Sequence, residues 1–334
     1  MKPHLCKNNP AKRLVSESEK SKFPGHVGRA PHKGMVWIPG GSFLMGSDHH
    51  YPEENPSRQV KIDGFWIDQS PVTNRQFQRF VKETGYITMA ERSPKLEDYP
   101  DALPELLVPG SLVFQQPHFR VELNSANWWA YVPGANWRHP EGPGSSIKGK
   151  ENHPVVHVTV EDAEAYSVWA GKTLPTEAQW EFAARGGLVE KPYAWGDELV
   201  PEGKVMANFW LGEFPWQNLK NHRPGTTSVA SYPANGYGLY DMIGNVWEWT
   251  ADWYQDYQLV KPKSCCVLVN PRGCTREESI DSRTPEVQIP RKVVKGGSFL
   301  CAANYCRRYR PAARHPEMID TSTCHIGFRC VVNI

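Results

Sequence analysis

Apolar positions in this chain fall into short helical stretches, shorter alternating stretches and long intervals with neither period. After Pro71, Phe77, Phe80 and Val81 share one helix face; Thr73 stands where an N-cap belongs and Gly85 where the helix stops. A second run opens at Thr159 and ends near Gly171, with Ala163, Tyr166, Trp169 and Ala170 on one side. A third carries the capping-box pair Thr176 and Gln179 and closes at Gly186-Gly187. Strands are expected at Met35–Pro39, Phe43–Met45, Val60–Phe65, Val155–Val158, Val293–Val294 and Ile326–Val332. GGSF occurs twice, at 40–43 and 296–299, and reads as a reused turn-into-strand device. The intervals 93–150 and 256–290 lack any period and are expected to be surface loops. Three short helices among short strands, with 27 Gly and 29 Pro, predict a loop-rich α+β fold.

Composition narrows the possibilities. At 334 residues and 40% hydrophobic, the chain can bury a substantial core. Its 38 basic and 36 acidic residues leave a net charge of +2, which argues against nucleic acid or acidic lipid as its main partner. Mean hydropathy is −0.56, and no run approaches the roughly 18 apolar residues of a membrane span. Residues 1–33 are basic, polar and broken by proline, without the apolar stretch of an export signal. They read as a flexible tail and point to the reducing cytoplasm. The eight cysteines do not form a disulfide framework: Cys6 lies in the tail, and Cys265 and Cys266 are adjacent.

The chemistry concentrates at Cys301 and Cys306, inside KGGSFLCAANYCRRYRPAAR (295–314). Arg307, Arg308 and Arg310 lie beside them, and cationic neighbours favour the thiolate. The spacing alone fits a structural pair or a disulfide equally well. A two-thiolate site suits Cu(I) better than Zn(II), which takes four ligands, or Ca(II), which takes oxygen. Other constellations carry less. His153 and His157 have helix-borne ligand spacing, but in an alternating strand they lie about 13 Å apart, too far for one metal. His49-His50 stands beside the acidic PEEN segment as a solvated pair. Cys265, Cys266 and Cys274 lack a fourth ligand. No GxSxG elbow, GxGxxG loop or Walker loop is present.

The thiol segment, closed by HIGFRC (325–330), resembles the formylglycine-generating enzymes, or sulfatase-modifying factors, of bacterial type. The resemblance also covers GGSFLMGS (40–47), PVTNRQFQRFVKETGYITMAE (71–91), HPVVHVTVEDAEAYSVWAGKTLPTEAQWEFAARGG (153–187), YAWGD (193–197), ANFWLGEFP (207–215) and NGYGLYDMIGNVWEWTADW (235–253). It implies a single domain over 34–334 with a C-type-lectin-like arrangement. It also implies an oxidoreductase that converts the cysteine of a C-x-P-x-R motif in an unfolded sulfatase to formylglycine, using dioxygen and a thiol reductant. Cys301 and Cys306 would hold Cu(I), while Ser298, Trp247, Tyr305 and Arg308 match residues around that centre. Asp241, Gly244, Val246 and Glu248 match a structural calcium site, against the plain alternative of a tight turn with two solvated acids. Asn208 and the Phe209 carbonyl would begin a second such site, whose later ligands fall near Asn221 and Arg223. There the chain is one residue short and has Asn for an acid. Lumenal relatives staple the fold with cysteines where this chain has Ser167, Ala183, Ala184 and Pro311, which leaves Cys330 free. The alternative is an inactive lectin-like binding paralogue, which lacks the thiol pair. A sulfoxide synthase of the same fold would carry an extra histidine-bearing helical domain.

Overall fold

The computed structural model describes residues 28–97, 99, 103–104, 107–124, 127–258 and 267–334. All three expected helices form: α1 at Asn74–Thr84, α2 at Val160–Trp169 and α3 at Glu177–Arg185. Each opens on a complete capping box, with Thr73, Thr159 and Thr176 as N-caps answered by Gln76, Asp162 and Gln179. Gly85 and Gly186 end α1 and α3 in the left-handed region, at φ 72° and 59°. Phe77, Phe80 and Val81 of α1 and Ala163 and Tyr166 of α2 are buried together in the core, as their spacing required.

The strands are β1 (Met35–Ile38), β2 (Gly41–Met45), β3 (Arg58–Ile62), β4 (Phe65–Asp68), β5 (Gly110–Phe114), β6 (Trp129–Pro133), β7 (Trp247–Trp253), β8 (Leu268–Val269), β9 (Arg291–Lys295), β10 (Arg314–Met318), β11 (Ile326–Gly327) and β12 (Val331–Asn333). They form small sheets in the orders β1-β4-β12, β2-β3-β8 and β5-β6, around a four-stranded sheet ordered β10-β9-β7-β11. Within that central sheet β11 runs parallel to β7 and the other neighbours are antiparallel. Helix α3 is tied to the sheet by charge: Lys295 at the end of β9 donates to Glu181 at 2.9 Å, and Arg314 of β10 holds Glu177 at 2.7 Å.

Several expectations need correction. Val155–Val158 is not a strand: His157 has φ 59°, and the segment threads between Val72 and Thr323 by single backbone hydrogen bonds. The run Val60–Phe65 breaks at Asp63-Gly64 into two strands of different sheets. The run Ile326–Val332 likewise divides into β11 and β12. The interval 93–150 holds the β5–β6 hairpin and sends Trp128 and Trp137 into the interior. Within 256–290, β8 pairs with β3. The first GGSF turns into β2 as expected, but the second leaves a strand and enters none.

Residues 1–27, Cys265 and Cys266 lie outside the described residues. In the remainder of the expected tail, His32 accepts a backbone hydrogen bond from Met35. No described helix is long and apolar enough to cross a membrane.

Candidate active site

The site is built on the turn that leaves β9. Gly296 and Gly297 have φ 94° and 70°, and a Cβ on Gly297 would lie 2.9 Å from the Arg308 carbonyl carbon. Glycine therefore lets the chain reverse against its own return segment, placing Ser298 and Cys301 opposite Cys306 and Arg308. The turn closes on itself: Cys301 N–H donates to the Ser298 carbonyl, and Cys306 N–H to that of Ala302. Outside it, Trp210 N–H donates to the Cys301 carbonyl and Phe299 N–H to that of Asn245.

The sulfurs of Cys301 and Cys306 lie 3.2 Å apart as free thiols, without a disulfide. Their environments are opposite. Cys301 is buried, and desolvation raises its pKa well above the usual range, with the charge of Cys306 adding to the rise. Cys306 is brought down to about 6, first by the hydrogen bond from Cys301 and then by the Arg308 guanidinium, whose Nη1 lies 3.8 Å from its sulfur. The pair is therefore polarised, with thiol character favoured on Cys301 and thiolate character on Cys306. Glu53 accepts from Arg308 at 2.9 and 2.6 Å, and the Tyr51 ring lies 4.0 Å beneath the guanidinium.

Ser298 has no exposed surface; its N–H points at the Cys301 sulfur (3.4 Å), and its hydroxyl meets His325 Nδ1 at 2.9 Å. Tyr305 stacks on Phe214 with centroids 4.6 Å apart and meets the edge of Trp128, so its ring belongs to an aromatic wall beside Cys306. Trp247 opens β7 beside His315, at 5.8 Å between centroids. The structure thus brings Ser298 and Arg308 directly onto the thiols, with Tyr305 adjoining them. Trp247 adjoins the site through His315 and through its backbone bond to His325.

The oxygen-rich turn lies close behind. Asp241 is buried at φ 54°, and its carboxylate accepts from Ala230 N–H at 2.8 Å and from Asn245 at 3.4 Å. Glu248 is not a solvated acid: Arg329 grips both its oxygens at 2.7 Å, and Trp180 Nε1 donates at 2.8 Å. Asn208 donates to Gly225 and Asn245, and its Oδ1 accepts from the Lys220 ammonium at 2.5 Å. Burial lowers the Lys220 pKa to about 8.

A family model described as the sulfatase-modifying factor enzyme 1-like domain matches residues 20–334. The chain belongs to this family. It is similar to a protein named formylglycine-generating enzyme from Mycobacterium tuberculosis, with 47% identity over 302 residues that cover 90% of this chain and 97% of that one. A Mus musculus protein of the same name is 43% identical over 90% of this chain and 75% of its own length. The chain is also 44% identical to a Mus musculus protein named inactive C-alpha-formylglycine-generating enzyme 2, over 91% of this chain and 87% of that one. Among solved structures, PvdO from Pseudomonas aeruginosa superposes with a TM-score of 0.56 at 22% identity, covering 90% of this chain and 94% of that chain. The α+β, loop-rich, C-type-lectin-like arrangement is the fold of this sulfatase-modifying family.

Three contributors to the site were missed in the sequence. Glu53 and Tyr51 sit in a segment that reads as solvent-facing, yet they fix Arg308 from more than 250 positions away. His325 lies inside the quoted HIGFRC motif, and nothing in its spacing links it to Ser298. The dismissed histidines are structural: His157 bonds Ser111 and the Pro140 carbonyl, and His153 bonds Thr226. Cys274 donates to the Tyr254 carbonyl.

Proposed function

We propose that this protein converts the cysteine of a C-x-P-x-R segment, in an unfolded sulfatase chain, to formylglycine with dioxygen and a thiol reductant. The kinship makes it an oxidoreductase acting on a protein cysteine; the motif, the oxidant and the reductant are this reading's own. The observation that carries it is the facing pair Cys301 and Cys306, their sulfurs 3.2 Å apart with the Arg308 guanidinium beside Cys306.

Two soft sulfurs, with no cluster of three or more His, Cys, Asp or Glu converging among the described residues, fit Cu(I) and do not fit the four-ligand shell of zinc. Cys301 and Cys306 would hold it, and when bound it supplies the redox chemistry with dioxygen that side chains lack. The remaining work falls to the protein. Arg308 stabilises the anionic sulfur, Ser298 presents a fixed hydroxyl beside Cys301, and Tyr305, stacked on Phe214, lines the approach beside Cys306. Replacing CH2–SH by CHO releases sulfide. With one dioxygen consumed, two electrons and two protons from two outside thiols, which leave as a disulfide, complete the balance, giving water.

Calcium is proposed at one limb only. Among the described residues, Asp241 accepts only from Ala230 N–H and Asn245, and no donor reaches the buried Gly244 and Val246 carbonyls. Glu248 Oε1 keeps a lone pair beside its bond from Arg329, whose single charge the carboxylate balances. With the Asp241 carboxylate and the two carbonyls it supplies the oxygen donors that a hard cation takes. The Asn208 and Phe209 limb does not fit, because the Lys220 ammonium already sits on Asn208 Oδ1. The protein is expected to take up one calcium in a calorimetric titration, and Asp241→Asn to abolish it; two equivalents would contradict this.

The reducing cytoplasm is the proposed compartment. Ser167 Oγ lies 3.3 Å from the sulfur of the free, buried Cys330, at the position where lumenal relatives carry a second cysteine.

The inactive-paralogue reading has in its favour the 44% identity to a relative with that name. A C-x-P-x-R peptide incubated with protein, Cu(I), a thiol and air decides between them. Aldehyde captured by a hydrazide probe, and lost without air, supports the enzyme; no aldehyde under any copper loading supports the binding module.

A further inference from the structure

We propose that His325 is a positioning residue for the Ser298 hydroxyl, and through it for the substrate cysteine; this rests on the oxidase reading of the thiol pair. A serine hydroxyl has one proton and two lone pairs, and an isolated one rotates among three staggered wells. Here Leu300 N–H takes one lone pair at 3.2 Å, and His325 Nδ1 takes a second valence at 2.9 Å. One direction remains for whatever enters beside Cys301.

His325 is itself held from three sides. Its ring lies against Trp129 with centroids 5.0 Å apart, its carbonyl accepts from Trp247 N–H at 2.9 Å, and its N–H donates to Thr323 Oγ1 at 3.3 Å. The next residue, Ile326, pairs with Trp247 in the parallel β11–β7 register. A histidine fixed by a sheet, a hairpin tryptophan and a threonine cannot follow the serine if it turns, so the serine is oriented by the histidine. Burial keeps the imidazole neutral, and a neutral ring offers Nδ1 as a single-valence partner without adding charge beside the thiolate.

The test combines kinetics with a spectrum. His325→Phe keeps an aromatic ring beside Trp129 but cannot bond Ser298, and should lower kcat about tenfold, the scale of one buried hydrogen bond. His325→Asn places an amide group where Nδ1 stood and should retain most of the rate. The double variant His325→Phe with Ser298→Ala should be no slower than Ser298→Ala alone. Multiplying losses, or an Asn variant as slow as the Phe variant, would overturn the proposal. In the resting protein, 15N imidazole spectra should show the His325 Nδ1 resonance move on Ser298→Ala while that of His157 stays. An unmoved His325 resonance would overturn the contact whether or not any peptide is oxidised. A shifted resonance in a protein that oxidises no peptide supports the contact and counts against the oxidase reading alone.

Discussion

Cys301 and Cys306 are chemically identical and differ only in what surrounds them. Cys301 is sealed in the core and keeps its proton; Cys306 receives that proton as a hydrogen bond and faces Arg308, itself held by Glu53. In the metal-free protein, the thiolate absorbance of Cys306 should therefore titrate at higher pH in both Cys301→Ala and Arg308→Ala. An unmoved titration in either variant would contradict the stabilisation assigned to that neighbour. The thiols and their neighbouring arginines were legible in the sequence because they are contiguous. Glu53 was not, because an ion pair between Pro52–Glu54 and the far end of the chain leaves no local pattern. The ion pair of Glu248 was invisible for the same reason, since its partner Arg329 stands 81 positions on. Of the two readings, a calcium ligand or a solvated acid, burial removes the second.

At the scale of elements, local rules worked where a segment's own hydrogen bonds define it. Each helix carried its cap, its face and its stop, and α1, α2 and α3 formed within those limits. Strands were harder, because a strand is defined by its neighbour. Val155–Val158 alternates correctly but meets only single partners. Trp247–Trp253, the middle of the main sheet, reads as a motif rich in Trp, Glu and Asp and was not recognised as a strand. The turn after β9 is the element on which the site depends. Gly297→Ala should cost roughly 1–3 kcal/mol in denaturant unfolding, since it combines a positive φ with a Cβ 2.9 Å from backbone. It should also weaken Cu(I) binding. Gly144→Ala, at φ 92° in open space, pays the φ strain alone and should leave copper binding intact. Equal copper affinity in the Gly297 variant would show that the turn does not set the thiol geometry.

The whole molecule is held by charges buried far from their partners in sequence, including Arg329–Glu248, Arg314–Glu177 and Lys295–Glu181, together with the buried His157 and the half-buried His315 and His325. Burial lowers His157 to about 4 and His315 and His325 to about 3, against an ordinary value of 6.5. Between those values the unfolded chain binds more protons than the folded one, so stability falls as pH falls from about 6.5. Glu181, lowered to about 2 by Lys295 and Arg185 against the cost of its burial, adds a loss below its ordinary 4.5. Urea midpoints should therefore decline already between pH 7 and 5; a flat profile there would contradict buried neutral histidines.

In the proposed function, Cys301 and Cys306 together form the centre that oxidises a protein cysteine. Mass spectrometry of a C-x-P-x-R peptide, after incubation with Cu(I), a thiol and air, tests it most directly in the wild type beside Cys301→Ser and Cys306→Ser. The cysteine-to-aldehyde mass change is expected with the wild type alone, all three proteins being equally folded. Turnover by either serine variant would contradict it.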